Sequence, residues 1–213
     1  MPLLYQQNIN PFTKIGVWHI LEDELFFSKK TSLSPSVVHH PHKRLQHLAG
    51  RFMLNHLFPE FPLTLILLAE TKKPFLEDEA YHFSISHCGE YAAAIVSTHN
   101  RVGIDIEVPQ KKILGICHKF LKEEEKIVIE NLPINFEQGL TLAWSVKETV
   151  FKWYGKNGVD FKKHIDIRSI QCRKDTFFIE CFFTKEKETT LSVNGIFLHN
   201  NSLTWVCSEA FKV

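Results

Sequence analysis

Between Pro41 and Phe58 the apolar residues Leu45, Leu48, Ala49, Phe52 and Met53 recur at helical spacing, with Pro41 near the start and Pro59 just past the end. That pattern predicts one amphipathic helix. From Tyr81 to Glu107 the chain changes character: His82 to Ser86, Tyr91 to Ser97 and Arg101 to Glu107 are short and rich in β-branched or aromatic residues. They are separated by Cys88-Gly89 and His99-Asn100, so three strands in quick succession are predicted. The apolar run Leu63 to Ala69 also reads as a strand. After Pro109 a second helical region is patterned by Ile113, Ile116, Phe120 and Leu121 and continues through the charged run Lys122 to Lys126. A further helix spans roughly Gly139 to Tyr154 and ends before Gly155 and Gly158. From Ile165 onward, RSIQC, FFIECFF, TTLSVNGIFLH and SLTWVCS alternate like strands of an antiparallel sheet. The order is α+β, in two helix-then-strand blocks that divide near residue 100.

Composition narrows the class. At 213 residues and 44% hydrophobic content the chain has enough apolar side chains for one large domain or two small ones. Lys and Arg total 25 against 24 Asp and Glu, a net charge of +1, which excludes bulk attraction to nucleic acid or an anionic membrane. A polyanion would have to be bound locally. The five cysteines are scattered, without the close pairs of a zinc site or a disulfide framework, and fit a reducing cytoplasm. The N-terminal stretch has no signal-peptide pattern, and no run approaches the ~20 apolar residues of a membrane span.

Candidate chemistry lies in two segments. In VGIDIE, Val102, Ile104 and Ile106 alternate with Gly103, Asp105 and Glu107, so on a strand both carboxylates share one face. Their Cα atoms would stand ~7 Å apart, near enough to reach one hard cation, with Gly103 leaving space beside them. In WSVKETVFKWYG, Trp144, Glu148 and Lys152 recur every four residues and line one face of a helix. Taken singly, these are the marks of an amphipathic strand with an acidic face and of a surface Glu-Lys pair worth a few tenths of a kcal/mol. Taken together, three carboxylates with nearby Lys147 and Lys152 are what a magnesium-diphosphate site requires.

The ordered set Lys73-Pro74, Ile85-Ser86-His87, Gly103-Ile104-Asp105-Ile106-Glu107, and Trp144 through Lys147-Glu148 to Lys152 resembles the phosphopantetheinyl transferases of the surfactin-synthetase-activating type. The match spans about half the chain. The resemblance implies that Asp105, Glu107 and Glu148 hold Mg²⁺ against the diphosphate of coenzyme A, with Lys147 and Lys152 on its phosphates. It further implies that Ser86 and His87 bind the nucleotide end, His87 at the ribose phosphate, and that Lys73 is another phosphate contact. Family members carry a basic residue on the first helix for the ribose phosphate; Arg44 and Arg51 are both candidates here, and Gln46 stands in one plausible register of it. Lys43 and the histidines at 39, 40 and 42 add positive potential. Cys88 stands where members often carry a small polar or amide residue.

By resemblance the fold is a pseudo-twofold pair of similar α/β halves, residues 1–100 and 101–213, with the active cleft between them. The implied reaction is attack by a serine of an acyl or peptidyl carrier protein on coenzyme A, releasing adenosine 3′,5′-bisphosphate, with Glu148 as the favoured base. Asp105, Glu148 and Lys152 are then the catalytic group. A monomer acting in the cytoplasm is expected, with no nucleic-acid or membrane partner. Lys111, Lys112, Lys119 and Lys122 around Phe120 and Leu121 form a candidate docking surface for an acidic carrier. Two other classes compete: a non-catalytic module that binds coenzyme A or a carrier protein, and a Mg²⁺-dependent phosphohydrolase.

Overall fold

The computed structural model describes residues 2–31 and 40–209. The chain divides into two compact units, one ending at Val102 and also including Glu209, the other running from Gly103 to Ser208. Among the described residues no helix is long and apolar enough to cross a membrane.

The first unit opens with a hairpin, β1 (Leu3–Asn10) and β2 (Thr13–His19), followed by helices α1 (Glu24–Thr31) and α2 (Pro41–Leu57). A 3-10 turn at Leu63–Leu65, the two-residue strands β3 (Leu67–Leu68) and β4 (Pro74–Phe75), and then β5 (His82–Cys88) and β6 (Tyr91–Ser97) complete it. Its main sheet has the order β1-β2-β6-β5, antiparallel throughout. The amphipathic stripe of α2 supplies Leu48, Ala49, Met53, Leu54 and Leu57 to a core completed by Trp18, Phe27, Phe83, Ala92, Ala94 and Val96.

The hairpin and α1 escape the periodicity argument. β1 is an edge strand whose middle residues Gln6, Gln7 and Asn8 are exposed, so it carries little apolar signal. Leu63 to Ala69 is not a strand of the expected kind. Only Leu67 and Leu68 pair, with Phe75 and Pro74, and Leu65, Leu67 and Leu68 are 59, 45 and 64% exposed. The run follows Pro62 in a surface ribbon, where only Leu63 and Ile66 pack against the core.

The remaining elements are β7 (Asn100–Glu107), α3 (Lys112–Ile116), a 3-10 turn at Cys117–Lys119, α4 (Glu123–Glu130), α5 (Phe136–Tyr154), α6 (Phe161–His164), β8 (Ile165–Arg173), β9 (Thr176–Phe183), β10 (Thr189–Leu198) and β11 (Asn201–Glu209). These strands form a sheet of order β7-β11-β10-β9-β8. The single helix expected after Pro109 is broken into α3 and α4. Phe120 and Leu121 turn into the core, and Lys122 takes an extended conformation that interrupts the helical path.

Helix α5 organises the second unit. Asn135 caps its start, accepting a 2.9 Å hydrogen bond from the Gln138 amide. Gly155 ends it in the left-handed conformation, at φ 76°, which glycine adopts without steric cost. Leu140, Leu142, Ala143, Val146, Val150 and Trp153 are fully buried. Ser145 Oγ and Thr149 Oγ1 reach Thr204 Oγ1 of β11 at 2.9 and 2.7 Å, seating the helix on the sheet through satisfied polar contacts.

Candidate active site

Three residues on one stripe of α5 meet the carboxylates of β7. Gly103 permits the approach: a Cβ there would collide with the Thr149 carbonyl and stand 2.8 Å from the Trp153 amide nitrogen. The space expected beside the carboxylates is therefore filled by the backbone of α5. Val102, Ile104 and Ile106 are buried as the alternation predicts, yet Asp105 on the opposite face is only 2% exposed. The acidic face of the strand is not a wet one, because α5 covers it.

Lys152 Nζ lies 2.6 Å from Asp105 Oδ1. Trp144 Nε1 donates to Glu107 Oε1 at 3.3 Å. Glu148, on the same stripe, feels both β7 carboxylates. Burial pushes its carboxyl up to about 7; the charge of Asp105 adds to this, Lys152 opposes it, and Glu107 acts in the same direction as Asp105. Three carboxylates and one ammonium thus converge from a strand and a helix far apart in sequence.

Among the described residues no three His, Cys, Asp or Glu side chains stand in metal-holding geometry. Within the cluster Lys152 is seated on Asp105, and Glu107 accepts from the Trp144 indole. The donor chemistry nonetheless fits a hard divalent cation. It is all carboxylate oxygen, and Glu148 is driven toward its protonated form by burial and then by two neighbouring negative charges, a condition that a cation relieves.

Lys147 does not join this group. One residue before Glu148, it projects to another side of α5 and is fully buried. Its ammonium is 2.7 Å from Glu125 Oε1 and donates to the carbonyls of Phe161 and Ile165 at 3.0 and 2.7 Å. All three donors are used, so the structure assigns this lysine an internal role and not the expected phosphate contact.

In the first unit, the two arginine candidates part company. Arg44 is forked onto Glu24, with Nε at 2.9 and 2.8 Å from the two carboxylate oxygens and an Nη2 distance of 2.7 Å. Arg51 makes no such pair among the described residues, and its hydrogen bond is a long 3.5 Å one to the His47 carbonyl. Burial lowers its pKa. The His47 ring lies 5.6 Å from that of His87, and burial, then Arg51, then Lys43 hold the His47 pKa down. Lys43, His47, Arg51 and His87 therefore make a basic cluster. Gln46 is buried and donates to the Gly89 carbonyl at 2.8 Å, fixing the β5–β6 turn.

Ser86 is buried on the face of β5 opposite to His87, as strand alternation requires. Lys73 is half-buried at the β3–β4 turn, where burial, with a smaller effect from Arg101, pushes its ammonium down to about 8. Cys88 ends β5. His40 precedes α2, His42 lies 3.8 Å from Glu90, and His39 is outside the described residues.

The expected docking surface is also revised. Phe120 and Leu121 are 2 and 0% exposed, so they belong to the core, and Lys122 pairs with Asp166 at 3.4 Å. What reaches the surface is Leu114, 47% exposed, near Lys111, Lys112 and Lys119. A groove of about 440 Å³ opens close by, lined by Ile116, Lys119, Phe120, Trp144, Asp160 and Phe161.

Two residues of this arrangement escaped sequence reasoning. Glu125 sits in the run Lys122 to Lys126, which reads as a solvated charged face; its position as the third residue of α4 was the available signal. His47 was hidden as one polar position of an amphipathic helix.

The described residues thus form an α+β protein in which three carboxylates and a lysine converge from a strand and a covering helix. Residues 101–206 match the model of the 4′-phosphopantetheinyl transferase superfamily. The chain is 31% identical over 112 residues to enterobactin synthase component D of Salmonella typhi, covering 52% of this chain and 47% of that protein. A putative 4′-phosphopantetheinyl transferase of Haemophilus influenzae is 28% identical, covering 70% of this chain and 66% of its own length. The 4′-phosphopantetheinyl transferase AcpT of Escherichia coli O157:H7 is 28% identical, covering 62 and 71%. The chain spans about half the length of the enterobactin synthase components it matches.

Proposed function

We propose that the protein transfers the 4′-phosphopantetheine group of coenzyme A to a serine of an acyl or peptidyl carrier protein, with Mg²⁺, releasing adenosine 3′,5′-bisphosphate. The observation that carries this reading is the convergence of Asp105, Glu107, Glu148 and Lys152 on one partly buried patch. Asp105, Glu107 and Glu148 would hold the Mg²⁺. When bound, the ion would neutralise charge on the diphosphate of coenzyme A.

Lys152 is paired to Asp105 but 24% exposed, so it can turn from the carboxylate toward an arriving phosphate without crossing the core. Its charge then favours the more negative transition state over the bound substrate. Glu148 is placed to receive the serine proton through whichever of its oxygens does not hold the ion, or through a bridging water. The serine oxygen forms the new bond to the pantetheine-side phosphorus as the bond to the bisphosphate leaving group breaks.

Arg51 and His87, with His47 and Lys43, offer the ribose phosphate a basic cluster, whereas Arg44 is committed to Glu24. The groove beside Trp144 has the apolar walls and the volume to hold the pantetheine arm. Leu114 among Lys111, Lys112 and Lys119 suits an acidic carrier with an apolar helix face. Cytoplasmic action as a monomer remains part of the proposal.

The test is intact-mass measurement of several apo carrier proteins incubated with this protein, coenzyme A and Mg²⁺. A gain of one phosphopantetheine is expected on at least one of them. Tight coenzyme A binding with no carrier modified would favour a binding module instead.

A further inference from the structure

Glu125 and Lys147 form a buried ion pair that the proposed chemistry does not use. Glu125 is 1% exposed and Lys147 fully buried. Glu125 Oε1 accepts from Lys147 at 2.7 Å and from the Ile167 amide at 2.9 Å, while Oε2 accepts from the Lys122 amide at 2.7 Å. Lys147 in turn donates to the Phe161 and Ile165 carbonyls. Two side chains thereby tie the start of α4, the middle of α5, the first residue of α6 and the first residues of β8.

Stability alone does not account for such a pair. Removing two charges from water costs several kcal/mol per ion, and well-packed apolar residues of similar volume commonly stabilise a core as well or better. What a pair with every bond satisfied supplies is a unique geometry. Successive residues of an α-helix are about 100° apart, so clamping Lys147 sets the rotation of α5 and with it the direction of Glu148, the next residue. The same clamp holds Phe161, whose ring lies 5.5 Å from Trp144 and 5.8 Å from Phe151. Trp144 is the residue that hydrogen-bonds Glu107. Both sides of the carboxylate cluster are therefore referred to this one pair.

We propose that Glu125, through Lys147, is a positioning residue that aims Glu148 and Trp144 at the carboxylates of β7. This rests on the transferase reading for its kinetic consequence, but not for its geometry.

The experiment compares wild type with the double variant Glu125→Leu/Lys147→Met, which replaces the pair by apolar residues of similar size, and with Glu125→Asp, which keeps the charge on a shorter arm. Thermal unfolding, steady-state transfer and terbium luminescence sensitised by the indole of Trp144 are measured on each, with Tb³⁺ as the probe. The double variant is expected to unfold at or above the wild-type temperature. Its kcat should nevertheless fall about a hundredfold, the effect of an ångström-scale misplacement, with KM for coenzyme A little changed. Its Tb³⁺ affinity should fall too. Glu125→Asp should stay folded and recover only part of the kcat. A folded double variant with wild-type kcat and wild-type Tb³⁺ affinity overturns the proposal, as does full kcat in Glu125→Asp. If wild type modifies no carrier, the transferase reading fails, and the terbium titration alone decides whether the pair positions the cluster. Should the double variant not fold, Glu125→Asp carries the decision by the same readouts.

Discussion

The ammonium of Lys152 stands 2.6 Å from Asp105 Oδ1, joining a helix to a strand across 47 positions of sequence. Asp105 is almost fully buried, so the lysine is its counter-charge. Lys152→Met should leave that carboxylate without it and destabilise the fold by about 1–3 kcal/mol in urea unfolding. Adding Asp105→Asn should recover most of the loss, because the uncompensated charge is then gone. A double-mutant cycle that finds the two changes additive would contradict the coupling.

Glu148 gives the pH dependence. Its folded-state carboxyl titrates at about 7, against an ordinary value of 4.5. The folded protein therefore binds this proton more tightly than the unfolded chain does. Its stabilising contribution is fully present below about pH 4.5 and is lost as pH rises through about 7, with a slope of at most about 1.4 kcal/mol per pH unit. In chelator, wild type should lose stability across that window relative to Glu148→Gln. Parallel profiles for the two proteins would mean that Glu148 is not perturbed by its neighbours.

Arg44 and Arg51 should separate in a binding experiment. Arg51→Ala is expected to weaken coenzyme A at least tenfold while leaving dephospho-coenzyme A little changed, since one charge-assisted phosphate contact is worth about 1.5–3 kcal/mol. Arg44→Ala should leave both affinities near wild type, as its guanidinium is already occupied by Glu24. Isothermal titration with the two ligands decides it, and the reverse ranking of the arginines would refute the assignment.

Gly103→Ala should be among the most damaging single substitutions in the protein. The new methyl group meets backbone of α5 and not a flexible side chain, so strand and helix must separate. Loss of transfer together with a fall in unfolding temperature is expected. An alanine variant with unchanged activity would show that β7 and α5 do not need this approach.

Much of this arrangement was legible beforehand, for identifiable reasons. Helix α2 and strands β8 to β10 carry a clean period because each buries one face, whereas β6, β7 and β11 are buried almost throughout and are marked by composition and by the turns that bound them. Asp105, Glu107, Glu148 and Lys152 could be picked out because strand and helix spacing put them on shared faces. Spacing does not reveal what covers a face, so the alternation that marks Gly103 and Asp105 does not show α5 packed over them. The resemblance puts Lys147 on a phosphate, and nothing in the charged run Lys122 to Lys126 singles out Glu125; only tertiary packing turns this pair inward. β1 was missed because an edge strand needs no apolar alternation.

The most direct test counts products. With wild type, Mg²⁺, coenzyme A and an apo carrier, one adenosine 3′,5′-bisphosphate should appear for every holo carrier formed, none should appear when the carrier is omitted, and Glu148→Gln should abolish both. Bisphosphate released without a carrier, or undiminished carrier modification by Glu148→Gln, would contradict the role assigned to the carboxylate cluster.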